Sequence, residues 1–317
     1  MSRQSMLRKL IIVLAILLAV SAGAFWILTI PKTVSPAELG AHTANLENGK
    51  VLFHAGGCAS CHATPNQDDK SRLGGGLALA SAFGTFYAPN ISPDPNDGIG
   101  AWTEAQFVTA LREGTSPSGE HLYPAFPYTS YRHVATGDLR DLFAYLKTLP
   151  AVAGRAPDHA LPFPFSIRRG LGIWKLLFLD SEPGEPNQPM STAWKRGAYL
   201  VNGPGHCAEC HSPRNFLGAI IPTLRFTGGP NPAGRGWVPN ITQRELKDWS
   251  EKDIANLLES GETPEGDRVG SSMVEVVRSM AQLPAEDRAA IAAYIKSLPP
   301  VEGIKPPPHK HDHDHDH

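Results

Sequence analysis

The chain has almost no net charge and few cysteines. The first feature argues against nucleic-acid binding and the second against a disulfide framework. Among its 317 residues, 29 Lys and Arg face 31 Asp and Glu, which leaves a formal net charge of −2. Nucleic-acid-binding proteins usually carry a basic surplus, so we expect no nucleic-acid partner. The four cysteines form two C-x-x-C pairs with none to spare. Disulfides inside such short loops would not usefully stabilise an exported protein, so a disulfide framework is not indicated.

The N-terminal segment is a long apolar run. Three basic residues precede 21 uncharged residues, Leu10 to Ile30. About 20 such residues span a bilayer as a helix, so we expect residues 1–30 to form a transmembrane anchor. A cleaved signal peptide is the alternative, because AGA at 22–24 resembles a cleavage site, although the run exceeds a typical signal core. Basic flanks mark the cytoplasmic side, which predicts a single-pass protein whose residues after 31 lie outside the cytoplasm.

The cysteines occur in two copies of one motif, CASCH at 58–62 and CAECH at 207–211. C-x-x-C-H is the attachment signature of c-type haem. Two thiols three positions apart form thioethers with the two vinyl groups of one porphyrin, and the next residue becomes the proximal iron ligand. The sequence therefore predicts two covalently bound haem c groups. Their protein ligands are predicted to be Cys58, Cys61 and His62 for haem 1, and Cys207, Cys210 and His211 for haem 2.

Other uses of C-x-x-C fit these motifs less well. A thioredoxin-like redox pair needs no histidine after its second cysteine. A zinc site could combine two C-x-x-C pairs, but these lie 149 residues apart and each has its own histidine.

The second motif belongs to a longer internal repeat. GKVLFHAGGCASCHATP matches GAYLVNGPGHCAECHSP, and YAPNIS matches VPNIT. LRDLFAYLKTLPAV matches DRAAIAAYIKSLPPV near the end of each copy. Because matching segments sit 147 to 150 residues apart, we expect similar domains at 40–150 and 191–301. Residues 151–190 are then a proline-rich linker, and 302–317 a His/Asp-rich tail.

Each repeat reads as a small helical domain. Thr103 and Ser250 are expected to cap a middle helix. A final helix follows from helical spacing of apolar residues. These are Leu139, Phe143, Leu146 and Leu149 in the first repeat, and Ile291, Tyr294, Ile295 and Leu298 in the second. We predict an all-α fold with two tandem cytochrome c domains after an N-terminal transmembrane helix, in which haem supplies much of each small core.

Longer stretches carry a family resemblance. They include FGTFYAPNISPDPNDGIGAWT, LYPAFPYTSY, RGAYLVNGPGHCAECHSPRN and the linker segments LPFPF and WKLLF. Over residues 40–300 the chain resembles the membrane-anchored multihaem cytochrome c subunits of bacterial periplasmic alcohol, gluconate and aldehyde dehydrogenases. Those subunits often carry three haems, so the two motifs here imply a dihaem relative. The resemblance also implies that the protein sits in a bacterial cytoplasmic membrane with its haem domains in the periplasm. It further implies a periplasmic dehydrogenase as electron donor, and an oxidase or another cytochrome as acceptor.

The first repeat lacks a methionine between His62 and Pro150. Methionine as sixth ligand raises the potential of a haem. In the ungapped repeat Phe126 pairs with Met273, so we predict Met273 as the sixth ligand of haem 2. Met280 is expected in the core.

Haem 1 needs another sixth ligand, and His121 in the same loop is the candidate. In the resembled family, stretches with methionine read NLYPAMPY, whereas HLYPAFPY occurs where it is absent, which suggests replacement by His121. A five-coordinate iron, or ligation by Tyr123 or Tyr128, is the alternative.

The predicted function is electron transfer, and the chain is not expected to be an enzyme. The alternatives are a dihaem, peroxidase-like enzyme that uses haem 1 as its substrate site, and a metal- or haem-linked sensor. The tail HKHDHDHDH at 309–317 can bind divalent transition metals, or it can be a solvated end.

Overall fold

The computed structural model describes residues 3–179, 190–232, 234 and 236–306, and within them the secondary structure is mainly helical, as predicted. The tail at 309–317 lies outside the described residues, as does 180–189 of the linker. The helices are α1 (Arg3–Leu28), α2 (Pro36–Leu39), α3 (Leu46–Ala55), α4 (Cys58–His62), α5 (Glu104–Glu113), α6 (Tyr128–Tyr131), α7 (Thr136–Leu146), α8 (Leu171–Phe178), α9 (Thr192–Asn202), α10 (Ala208–His211), α11 (Glu251–Ser260), α12 (Met273–Met280) and α13 (Ala285–Lys296). Short 3₁₀ turns cover Arg168–Gly170 and Pro222–Leu224.

Strands form only two small antiparallel hairpins among the described residues. In the first, β1 (Ala78–Ser81) pairs with β2 (Gly84–Tyr87), with Ala78 opposite Tyr87. In the second, β3 (Gly229–Pro230) pairs with β4 (Trp237–Val238), with Gly229 opposite Val238. Each hairpin lies in the loop that follows a C-x-x-C-H motif.

The predicted caps of the middle helices are confirmed. Thr103 Oγ1 accepts a hydrogen bond from Gln106 N at 3.2 Å, and Ser250 Oγ accepts one from Asp253 N at 3.1 Å. Both helices end at a glycine in the left-handed region, where a side chain would be strained: Gly114 at φ 56° and Gly261 at φ 77°. The same sequence signals therefore start and stop α5 and α11.

The first and last helices of each repeat cross at a glycine. In the first repeat α3 crosses α7, and a Cβ added to Gly49 would collide with the Asp141 carbonyl oxygen. In the second, α9 crosses α13, and a Cβ on Gly197 would collide with the Ala290 carbonyl oxygen. Because a C-x-x-C-H motif follows α3 and another follows α9, these crossings position both motifs.

Two cores lie around the crossings. The first contains Leu52, Phe53, Leu73, Ile99, Phe107, Val108, Leu111, Leu139, Phe143 and Leu146. The second contains Leu200, Val201, Phe226, Ile254, Leu258, Met280, Leu283, Ile291 and Ile295. Ala55 of the first repeat is buried in the second core, and Tyr199 packs against the first, so the two halves share a boundary. The expected positions within the final helices are buried, whereas Leu149 and Leu298 lie just past the helix ends and are only partly buried.

Helix α1 stands apart from both cores and buries none of its residues. It is long and apolar enough to cross a membrane, with a mean hydropathy of 2.8 in its most apolar window. A signal sequence near the N-terminus would meet the same test.

Candidate functional site

The first C-x-x-C-H motif forms one short helix. Gly57, at φ 54°, precedes α4 in a conformation that suits glycine, and α4 carries Cys58, Cys61 and His62. Both thiols are free, so the structure has no disulfide here. The Nδ1 atom of His62 lies 2.8 Å from the Pro89 carbonyl oxygen. Because that oxygen can only accept, Nδ1 is the donor, which leaves Nε2 as the nitrogen for iron.

The second motif repeats this arrangement. Cys207 and Cys210 are free, and His211 Nδ1 donates to the Pro239 carbonyl oxygen, again over 2.8 Å. A hydrogen bond of this kind fixes the tautomer of a ligating histidine and raises its basicity. Burial lowers the pKa of both histidines against the opposite effect of the carbonyl acceptors, and this favours the neutral imidazole that iron ligation requires.

These residues fit covalent haem better than the other uses of C-x-x-C. Burial raises the pKa of Cys58 and of Cys207 to about 12, with a smaller contribution from the second cysteine of each pair. Catalytic redox thiols have a lowered pKa instead. No group of three or more His, Cys, Asp or Glu side chains suited to a metal ion occurs in the part of the chain that the structure describes.

Two asparagines hold the loops that carry the carbonyl acceptors. Asn90 Nδ2 donates to Val152 O at 2.7 Å, and Asn240 Nδ2 donates to Val301 O at 2.9 Å. Each side-chain oxygen also accepts from the backbone N–H two residues on. The asparagines therefore tie the proline loops to the segments that follow α7 and α13.

The structure keeps the sequence register of the repeat around the predicted sixth ligand. Gly119 and Gly266 occupy matching turns, with φ of 79° and 89°. Leu122 N donates to Gly114 O, and Val269 N donates to Gly261 O in the same way. Continued without a gap, this spacing pairs Phe126 with Met273, and each is partly buried against its own core. Met273 begins α12, whereas Phe126 lies in the loop before α6. The ligation of haem 2 by Met273 stays a prediction, whereas Met280 is buried in the second core as expected.

His121 lies in a different setting from the one predicted. Its Nε2 donates to the Thr29 carbonyl oxygen at 2.9 Å, just past the end of α1, and its Nδ1 is buried without a hydrogen-bond partner. Its equivalent in the second repeat, Arg268, has a side chain 75% exposed. Iron ligation through Nε2 would require the Thr29 bond to break. Ligation of haem 1 by His121 stays a prediction that these contacts do not support.

The two tyrosines that are alternative sixth ligands of haem 1 do not favour iron ligation either. Tyr123 donates its hydroxyl hydrogen to Phe165 O at 2.9 Å. Tyr128 is completely buried, and burial raises its pKa, with a further contribution from the Glu209 charge. A raised pKa opposes the phenolate form that would bind ferric iron.

The second motif and its flank contact the first repeat through residues that the sequence did not single out. Glu209, inside the second motif, accepts hydrogen bonds from Thr129 at 2.7 Å and Ser130 at 3.2 Å, and pairs with Arg214 at 2.6 Å. Burial raises the pKa of Glu209, but the charge of Arg214 and the hydrogen bonds outweigh it and hold the pKa below its usual value. The carboxylate thus links the second motif to α6 of the first repeat.

His206 forms a second link. Its Nε2 lies 3.2 Å from the Gly56 carbonyl oxygen, beside the first motif, and its ring meets the Tyr131 ring edge-on at 5.7 Å. The available sequence signal was position alone, because His206 directly precedes Cys207 and Glu209 lies within the motif.

Comparison with known proteins agrees with this geometry. The family model described as Cytochrome c matches residues 46–150. A Cereibacter sphaeroides protein named diheme cytochrome c-type is 49% identical over 303 residues, covering 94% of this chain and 100% of that protein.

Two components of dehydrogenases are more distant relatives. One of the subunits of nicotinate dehydrogenase from Pseudomonas putida is 40% identical over 267 residues, or 84% of this chain. The fructose dehydrogenase cytochrome subunit of Gluconobacter japonicus is 38% identical over 269 residues, or 83% of this chain. The chain spans only 22% and 54% of their lengths. Because nearly the whole chain aligns with a c-type cytochrome, and both motifs have the geometry that haem attachment needs, the chain belongs to the cytochrome c family.

Proposed function

We propose that the chain is a dihaem c-type cytochrome that carries electrons in the periplasm. The observation that carries the proposal is the duplicated site, two free cysteines on a short helix followed by a histidine whose Nδ1 donates to a proline carbonyl. The two cores and their matching helix crossings support two tandem cytochrome c domains, at 40–150 and 191–301, joined by the linker 151–190. A haem c bound at each motif would supply one-electron iron chemistry.

The chain is an electron-transfer protein rather than an enzyme, and relatives that are themselves cytochrome subunits confirm that prediction. They do not favour the alternative of a peroxidase-like enzyme with a substrate site at haem 1. By analogy with the fructose, alcohol and gluconate dehydrogenase subunits, we propose a dehydrogenase as electron donor. An oxidase or another cytochrome is the proposed acceptor.

Contacts beside the two motifs support electron exchange between them. His206 reaches the backbone beside Cys58, and Glu209 reaches α6. Polar side chains that join the motifs hold them at a fixed separation, which a flexible connection would not do.

Helix α1 is the proposed anchor to the cytoplasmic membrane. Its apolar surface is fully exposed in the protein, so it needs an apolar environment. The basic residues before it indicate that the domains after it lie outside the cytoplasm.

We assign the sixth position of haem 2 to Met273. A thioether favours ferrous iron, and the first repeat has no methionine at the equivalent Phe126. The first site should therefore have the lower potential, which would direct electrons from the first motif to the second.

A redox titration of the full-length holoprotein in detergent, followed by absorption, tests this assignment. We expect two separate waves and a sulfur-to-iron charge-transfer band. Met273→His should abolish the band and lower the upper wave, whereas Met280→Leu should preserve both. A band that survives in Met273→His would overturn the ligand assignment. A holoprotein with one haem per chain would overturn the dihaem proposal.

A further inference from the structure

The C-terminal end of α1 is bonded to the first half of the protein at Thr29. This threonine is only 1% exposed, and Arg169 Nε donates to its Oγ1 at 2.8 Å. His121 Nε2 donates to its carbonyl oxygen at 2.9 Å. Gly172, in the first turn of α8, packs so closely that an added Cβ would collide with the Thr29 side chain. Helix α1 is therefore fixed to the body, and α8 begins where the apolar run ends.

Trp26 marks the same level of α1. Arg169 Nη2 donates to the Trp26 carbonyl oxygen at 2.6 Å, and the guanidinium lies 4.3 Å from the centre of the indole ring. Tryptophan and arginine are typical of the layer where a transmembrane helix leaves the hydrocarbon. The residues around Thr29 are therefore of the types found where a transmembrane helix meets the membrane–water interface.

Helix α8 buries its charged residue and exposes leucines, which is the opposite of a helix that faces water. Its one charged residue, Lys175, is 8% exposed, and its Nζ donates to the carbonyl oxygens of Glu113 and Gly114, both at 2.6 Å. Leu176 and Leu177 are 54% and 62% exposed. A helix on a water-facing surface buries apolar residues and exposes charge. The outer face of α8 therefore suits an apolar environment.

Two loops, 163–167 and 216–217, extend this apolar face. The exposed apolar residues of the loops and of α8 form a surface that we call the apolar rim: Phe163, Phe165, Ile167, Ile173, Leu176, Leu177, Phe216 and Leu217. Trp174 Nε1 donates to Leu217 O at 2.9 Å, which joins the loop of Phe216 and Leu217 to α8. The Phe83 ring contacts Phe165 at 5.1 Å between centroids, and lies against Gly218. The rim is thus one connected surface rather than scattered exposed residues.

We propose that the apolar rim rests in the interfacial layer of the membrane that α1 crosses, with its side chains in contact with lipid. This inference depends on the membrane anchor of the proposed function. Lipid is the favoured occupant because the rim continues directly from the end of α1 through Gly172 and Arg169. A surface attached there lies at the boundary of the bilayer. An interfacial helix with an apolar outer face binds lipid in this way, and the contact sets one orientation of both haem motifs relative to the membrane.

Lipid-borne photolabelling tests the rim. Full-length holoprotein is placed in phosphatidylcholine vesicles that contain a carbene-generating lipid, and labelled peptides are mapped by mass spectrometry. We expect label in 10–30, in 163–177 and at 216–217. The control is Val274, which is 41% exposed in the second half and should remain unlabelled.

A charged variant provides a second test. Leu176→Asp with Leu177→Asp should lose label from the rim but keep it in α1, and Val274→Asp should change neither. Both leucines are exposed, so the variant should keep its haem absorption spectrum. Label confined to α1 in the wild type would overturn the rim and leave the anchor standing. Absence of label from α1 would overturn the anchor, and with it the rim.

Discussion

Replacing Glu209 with glutamine should destabilise the protein, because it removes the charge that pairs with Arg214. The carboxylate is 11% exposed and accepts from Thr129, Ser130 and Arg214, whose side chain is 28% exposed. Glutamine has the same shape and can still accept from the two hydroxyls, so the change removes mainly the charge.

Breaking a fully buried ion pair costs about 3–5 kcal/mol. Arg214 keeps hydrogen bonds to Gly218 O at 2.7 Å and to Glu209 O at 2.8 Å, and water reaches part of its side chain. We therefore expect a loss of about 2 kcal/mol in the free energy of unfolding, below the cost of an uncompensated buried charge.

The assay is urea unfolding of the full-length holoprotein in detergent, followed by far-ultraviolet circular dichroism. Glu275→Gln is the matched control, since Glu275 pairs with Arg278 within one helix and both are at least 40% exposed. Exposed pairs contribute about 0.5 kcal/mol or less. If Glu209→Gln changed stability no more than the control, the ion pair of Glu209 with Arg214 would contribute no more than an exposed pair.

Three further predictions concern stability and ligation. Gly197→Ala should lower the free energy of unfolding by about 2 kcal/mol, because the added methyl group would push α9 away from α13. In contrast, Gly137→Ala in α7, where the nearest atom would lie 3.4 Å away, should be nearly neutral in the same urea titration. Burial raises the pKa of Asp141, but hydrogen bonds outweigh it and hold the pKa below its usual value. The carboxylate therefore stabilises the fold above about pH 4, and Asp141→Asn should flatten the loss of stability as pH falls below that value; an unchanged pH profile would contradict this. His121→Ala should leave both redox waves unchanged and increase proteolysis after α1, whereas a shifted lower wave would assign its imidazole to the first iron.

The sequence by itself determined the parts of this protein that depend on short stretches. Each C-x-x-C-H motif places two thiols and an imidazole on nearby positions, so covalent haem could be inferred without a structure. Capping by Thr103 and Ser250, and the apolar run of α1, are likewise local signals. The ungapped repeat predicted that Phe126 and Met273 are equivalent, and the turns at Gly119 and Gly266 match in the loops that lead to them.

Only the tertiary structure decided which distant groups meet. Pro89 accepts from a histidine 27 residues away, and Glu209 accepts from a threonine 80 residues away. His121 shows the limit of sequence-based prediction most clearly. Its position in the loop suggested iron ligation, yet its Nε2 donates to the carbonyl oxygen of Thr29, 92 residues earlier. Lys175 is a second example. From the sequence, a lysine in an apolar helix is expected to face water, but Lys175 is buried because the end of α5 provides two carbonyl acceptors. Hydrogen-bond partners of this kind depend on how helices cross, and the crossings at Gly49 and Gly197 are fixed by backbone contact that no local pattern encodes.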